Sequence, residues 1–255
     1  MKIICQYDKR LEGFLKDVVD YTLCKYGQEL NLDNLQQIEL MNISEFDLLK
    51  EGSTEEHGTK IILTSRLYDM LPSFSVENLE SNPNFKMIVN TLYYEMGHVT
   101  DWKKYPKLYA EAESMDNLKI GLPALFWLEY LAEKRSCLKD GSNNSDFCKQ
   151  FVERQWRAYY SNFDDIDENN FFYLNKVIPY FMARTIDVSV RKTYMNEISN
   201  ELLIGYIDEL STEIEQMEKM LPFDEPEKLS SLYEIMNRYY KQFRDRYLPK
   251  RKWIF

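Results

Sequence analysis

The stretch Asn82-Pro83-Asn84-Phe85-Lys86-Met87-Ile88-Val89-Asn90-Thr91-Leu92-Tyr93-Tyr94-Glu95-Met96-Gly97-His98-Val99-Thr100-Asp101-Trp102 governs how the remainder of the chain is understood. Asn82-Pro83 is a helix start, because proline is tolerated in the first turn, where its missing N–H has no intrahelical partner. A helix is expected over 83–102, ending before Pro106. Met87, Ile88, Val89, Leu92, Tyr93, Met96, Val99 and Trp102 spread apolar surface nearly all round it, which is the pattern of a buried helix. Yet the same helix carries Glu95 and His98 on adjacent turns. A carboxylate and an imidazole taken out of water each need a partner. Gly97 stands in mid-helix, where glycine costs about 1 kcal/mol relative to alanine. Its use there suggests close approach of another group to the backbone.

Outward from this helix, residues 2–6 are expected to form a short strand. Leu11, Phe14, Leu15, Val18, Val19, Thr22 and Leu23 then recur at helical spacing, with Gly27 as the stop. Two β-like runs, 37–41 and 59–64, flank a polar segment containing Gly52 and Gly58. They are expected to pair antiparallel, with Ile61 and Leu63 on one face. After Pro72 strand signals nearly vanish. A second helix is expected from near Pro123 through Leu138, closing at Asp140-Gly141-Ser142-Asn143-Asn144. Further helical patterns occupy 145–160, 168–192, 197–220 and 226–246, with a break at Pro222 and Pro226. There is no solenoid repeat and no low-complexity tract. The expected fold is α+β and predominantly helical. A small antiparallel sheet packs on a pair of helices within 1–140, and a helical region over 141–255 packs on it as one unit.

Glu95, Gly97 and His98 together match the His-Glu-x-x-His helix of zincin metallopeptidases, in which two histidines one turn apart bind zinc and the glutamate activates the metal-bound water. The frame here, Tyr94-Glu95-Met96-Gly97-His98, resembles the His-Glu-Leu-Gly-His form of ImmA/IrrE-like peptidases, with Tyr94 in place of the first histidine. That family takes its third ligand from a later helix that often reads Glu-x-x-Ala-(Asp/Glu). Glu129-Tyr130-Leu131-Ala132-Glu133 has that form. The resemblance implies Glu95 as catalytic base and His98 and Glu129 as metal ligands, with Glu133 outside the first ring of ligands. Thr59-Lys60-Ile61-Ile62-Leu63 resembles the edge strand that in zincins pairs with substrate backbone. The likeness covers roughly residues 57–137.

Tyr94 departs from the pattern at the position that matters most. A phenol has a reference pKa near 10, so metal binding as phenolate is costly at neutral pH. Tyr94 as a weak ligand is one reading; Tyr94 filling the space of a lost metal, with its hydroxyl bonded to Glu129 or His98, is another. Asp101 is a candidate ligand or an orienter of His98. His57, the other histidine of the chain, lies beside Gly58 and is expected in a solvated turn. The bland reading needs no metal: a core histidine bonded to Asp101, with Glu129 and Glu133 on a helix face near Lys134 and Arg135.

Composition narrows the field further. With 44% hydrophobic residues the chain has enough apolar material for a packed core, so a disordered chain is excluded. A net charge of -10 repels phosphate backbones and anionic lipid, so neither nucleic acid nor membrane is an expected partner. Lys250-Arg251-Lys252 is expected to be a solvated tail. Cys5, Cys24, Cys137 and Cys148 form no Cys-x-x-Cys pair and are expected to be reduced thiols. Lys2 places charge too early for a signal peptide, which makes cytoplasm the expected address. No phosphate loop or Gly-x-Ser-x-Gly elbow competes with the zincin motif. The aromatic clusters at Tyr159-Tyr160, Phe171-Phe172-Tyr173 and Tyr239-Tyr240 are expected in the core.

Three functions follow as expectations. The first is a zincin-fold protein, descended from a peptidase, whose metal and proteolysis are lost or weakened and which binds a protein or peptide. The second is an active zinc metallopeptidase with His98 and Glu129 plus Tyr94 or Asp101 as ligands, zinc being its cofactor. The third is a helical scaffold in which Glu-x-x-His is accidental.

Overall fold

A computed structural model of the chain describes residues 1–6, 8–42, 52–65, 83–114, 118–140, 168–196, 198 and 200–247. The expected helix at 145–160 and the aromatic pair Tyr159-Tyr160 lie outside these residues. The chain divides into two compact units, Met1–Lys104 and Tyr105–Phe255. Sequence patterning set the division at 140–141; it falls instead at the Lys104–Tyr105 junction, beside the break that Pro106 imposes.

The first unit is a four-stranded sheet carrying two helices. Its elements are β1 (Lys2–Cys5), α1 (Leu11–Tyr26), β2 (Gln37–Met41), β3 (Gly52–Glu55), β4 (Lys60–Thr64) and α2 (Pro83–Lys104). The sheet order is β1-β2-β4-β3. β1 pairs parallel with β2, and β2 parallel with β4; only β3 runs antiparallel, against β4. Expectation and structure differ here: 37–41 and 60–64 are parallel neighbours, and the hairpin partner of β4 is the polar strand Gly52-Ser53-Thr54-Glu55. A parallel pair needs a crossover, which α1 supplies between β1 and β2.

Side-chain alternation sets which sheet face is buried. Ile38 and Leu40 stand opposite Ile61 and Leu63, and all four are fully buried beneath α1 and α2. Leu11, Phe14, Leu15, Val18 and Val19 come down from α1, and Phe85, Ile88, Leu92, Met96 and Val99 from α2. On the opposite face Glu39, also buried, accepts from Gln37 Nε2 at 2.9 Å and pairs with Lys60 Nζ at 3.0 Å.

The β3–β4 turn is tightly built. Glu56, His57 and Gly58 all adopt left-handed backbone, with φ of 51°, 57° and 79°. His57 is exposed, as its place beside Gly58 suggested, and its ring meets Trp102 edge-on at 4.9 Å. Gly58 lies so close to α2 that a Cβ there would stand 3.3 Å from Trp102 Cβ and Cδ1.

The second unit has helices and no strand among its described residues: α3 (Pro106–Ser114), α4 (Leu118–Asp140), α5 (Glu168–Arg184), α6 (Val188–Met195), α7 (Glu201–Lys219) and α8 (Ser230–Tyr247). α3 was not expected from the sequence. Its first turn is held from a distance by Asp224, which accepts from Lys107 N at 3.0 Å and Leu108 N at 3.1 Å. The pattern expected as one helix over 168–192 breaks at 185–187, where Asp187 caps α6 by accepting from Ser189 N at 2.8 Å. Asn200 caps α7 in the same way, through Leu202 N and Leu203 N. Phe171, Tyr206, Tyr239 and Phe243 form one buried aromatic cluster, which accounts for Phe171 and Tyr239 as core residues; Tyr173 is exposed. Arg191 is buried too, donating to Thr185 O and Ser211 Oγ, and burial holds its pKa below the ordinary value. No helix among the described residues is long and apolar enough to cross a membrane, and Cys5, Cys24 and Cys137 carry no disulfide.

Two glycines in the first unit test this account in opposite directions. Gly13 sits within α1 with nothing within 4 Å of an added Cβ, so Gly13→Ala should raise stability by about 0.5–1 kcal/mol. Gly58→Ala should lower it by about 1–3 kcal/mol, through left-handed strain and the Trp102 contact. Urea unfolding of both variants checks the pair.

Candidate functional site

The helix α2 places the motif. Its expected span, 83–102, is observed as Pro83–Lys104, and every residue from Leu92 through Val99 is buried. Met96, Val99 and Leu92 face the sheet core, which leaves Glu95 and His98 for another side of the helix. Glu95 is 4% exposed, His98 7% and Asp101, one turn on, 1%. Tyr94 sits on the same side as His98, because i and i+4 superpose on a helix. The two rings meet edge to face, with centroids 4.6 Å apart and planes at 89°. The position that the zincin frame gives to its first imidazole therefore does adjoin His98, and an aromatic ring occupies it.

Glu95 is engaged by the outermost strand. Thr54 Oγ1 donates to Glu95 Oε2 at 2.7 Å and lies 3.0 Å from the Glu95 carbonyl oxygen. Gly52, two residues earlier on the same face of β3, leaves room for the carboxylate: a Cβ there would stand 2.9 Å from Oε1 and 3.1 Å from Cγ. Gly52 and Thr54 are thus part of the site, and sequence reasoning missed both. The available signal was a glycine and a threonine two apart in a polar run, the spacing of one strand face. The strand expected at the sheet edge, Thr59–Leu63, is interior instead: β4 lies between β2 and β3, and β3 is the terminal strand among the described residues.

Glu129 lies on α4 in the second unit, 129–133 falling within its expected helix. Tyr180 Oη, on α5, donates to Glu129 Oε2 at 2.6 Å. Tyr130 donates to Glu218 at 2.6 Å, and burial first, then that carboxylate, pushes its pKa up. Lys134 also pairs with Glu218, and Glu133 is a buried partner of Arg184. Expected as an exposed helix face or as a ligand-bearing one, this segment is woven into helix packing.

Zinc in such a frame needs three protein ligands converging on one point, with a fourth place open. Among the described residues no group of three or more His, Cys, Asp and Glu side chains is gathered in that way. Glu95 Oε2 is committed to Thr54, and the Tyr94 ring abuts His98. Glu95 and His98 thus present a desolvated carboxylate that accepts from a hydroxyl, beside an imidazole packed on a phenol ring.

Comparison with family models, with curated proteins and with solved structures found no match to the chain. The zincin likeness rests on the sequence motifs Tyr94-Glu95-Met96-Gly97-His98 and Glu129-Tyr130-Leu131-Ala132-Glu133.

The contact between Gly52 and Glu95 can be measured as a coupling. Gly52→Ala should destabilise the chain by about 1–3 kcal/mol, the ordinary cost of forcing a methyl group into filled space. In a Glu95→Ala background the same substitution should cost far less, because its obstacle is gone. Equal costs in both backgrounds, by urea unfolding, would mean that Glu95 does not rest on Gly52.

Proposed function

We propose that the Met1–Lys104 unit is a zincin-like fold descended from a peptidase, that its metal chemistry is lost or weakened, and that it works by holding an extended protein or peptide segment along β3. The observation that carries this reading is the contact of Glu95 with Thr54 and Gly52. A zincin uses its motif glutamate beneath an edge strand, where substrate backbone and catalytic water meet. Here the same residue lies beneath the terminal strand, one turn before His98, and its oxygen takes a hydroxyl hydrogen bond. Tyr94 replaces the imidazole that would complete the metal's ligands.

Binding without catalysis then uses what remains. A terminal strand offers main-chain donors and acceptors, and an extended peptide adds to it as a further strand. Affinity comes from the ladder; selectivity comes from alternate side chains directed at the α2 side or away from it.

Short peptides selected from a random library for binding to the full chain should protect the amides of 52–55 from hydrogen exchange. Ser53→Pro, which removes a main-chain donor and resists strand geometry, should weaken them by about tenfold or more. Selected peptides that leave 52–55 unprotected would sink the edge-strand reading.

The ancestry has its own test. Tyr94→His places a second imidazole against His98, one helical turn away. If the scaffold is zincin-like, zinc should raise the melting temperature of this variant, equivalent to about 2.7 kcal/mol at a hundredfold excess over its dissociation constant. The parent should show no such rise, and His98→Ala should abolish it in the variant. A variant that is merely less stable, with no zinc response, would leave Glu-x-x-His accidental.

A further inference from the structure

The zincin likeness casts Glu129 as a metal ligand, but the second unit gives it and Glu133 another occupation. Tyr180 Oη donates to Glu129 Oε2 at 2.6 Å, and Arg184 Nε pairs with Glu133 Oε1. Both pairs span 51 residues of sequence. A constant offset means that α4 and α5 run in the same direction, with one turn of α4 set against one turn of α5. Arg184 also lies over the Tyr180 ring, at 5.9 Å from its centroid. The Cys137 thiol, a further turn along α4, reaches Glu133 Oε1 at 3.3 Å.

We propose that Glu129-Tyr130-Leu131-Ala132-Glu133 is a register lock for α5, in which Glu129 serves as the structural acceptor for Tyr180. The physical reason is desolvation. Glu133 is 2% exposed, and the side chain of Arg184 only 14%, so the pair is out of bulk water. Apolar contacts between two helices tolerate a slip by one turn, since ridges and grooves repeat. Here a slip would leave the Glu133 carboxylate buried without its cation, which is strongly unfavourable. The same slip would part Tyr180 from Glu129. Tyr130 and Lys134, on the intervening positions, both bind Glu218 of α7 and so tie the opposite flank of α4. Glu129, Tyr130, Glu133 and Lys134 of this pattern each bond to a side chain of α5 or α7 within Tyr105–Phe255. This inference uses contacts inside one unit and stands independently of the peptide-binding reading.

Thermal unfolding of the full chain tests it through two near-isosteric substitutions. Tyr180→Phe should lower the melting temperature by about 3–8 °C, the range expected for one hydrogen bond to a charged group in a chain of this size. Glu129→Gln, whose amide oxygen still accepts from the Tyr180 hydroxyl but without charge, should cost less than Tyr180→Phe, and the double variant should fall no further than the worse single one, because both act on the same bond. All shifts should be unchanged by zinc or by chelator. Additive losses for Glu129→Gln with Tyr180→Phe would overturn the lock. So would a zinc-dependent rise in the parent that Glu129→Gln removes, since that would return Glu129 to the metal.

Discussion

Thr54 and Glu95 meet at 2.7 Å between the terminal strand of the sheet and the buried face of α2. A carboxylate buried on a largely apolar helix is tolerable only where a donor is fixed beside it. The sheet supplies that donor, and the requirement propagates outward. β3 must be close enough for its hydroxyl to reach, so a side chain at position 52 would press on the Glu95 carboxylate. The turn beyond β3 must then bend sharply back to β4, which puts Glu56, His57 and Gly58 into left-handed backbone and sets Gly58 on Trp102. The edge hairpin is thus attached to α2 at both ends, seven residues apart along the helix at Glu95 and Trp102.

The helices were the most legible part of the chain. α2 was foreseen to within two residues at its end because proline marks its start and its apolar positions leave no face for water. α1, α7 and α8 followed from clean periodicity. What failed was the sheet pairing. β3 has no apolar alternation, since Gly52 and Thr54 face a carboxylate and Ser53 and Glu55 bond to one another at 3.0 Å. Without it, the two apolar runs at 37–41 and 60–64 look like the two arms of an antiparallel pair, whereas they are parallel neighbours. α3 was missed because its cap, Asp224, comes from more than a hundred residues away. The break between α5 and α6 had a local signal, Asp187 followed by Ser189, which the surrounding apolar pattern concealed.

The candidate site was legible as residues but not as geometry. Burial of Glu95 and His98 followed from the helix pattern, and the adjacency of Tyr94 to His98 from helical spacing. The partners could not be found that way. Tyr180 and Arg184 match Glu129 and Glu133 only because α4 and α5 lie parallel, and nothing in either segment alone announces that register. A short acidic motif on a buried helix fits a metal site and a helix lock equally well until its neighbours are known.

The proposal is that a zincin-like helix persists here with its metal chemistry lost or weakened, its motif residues in contact with protein neighbours. Metal analysis of the chain, purified without added zinc and dialysed, addresses that claim most directly. The account predicts well under one equivalent of zinc, since an imidazole beside a neutral phenol lacks the ligand number and geometry for tight binding. About one equivalent of zinc, retained against a chelator and lost on His98→Ala, would contradict it.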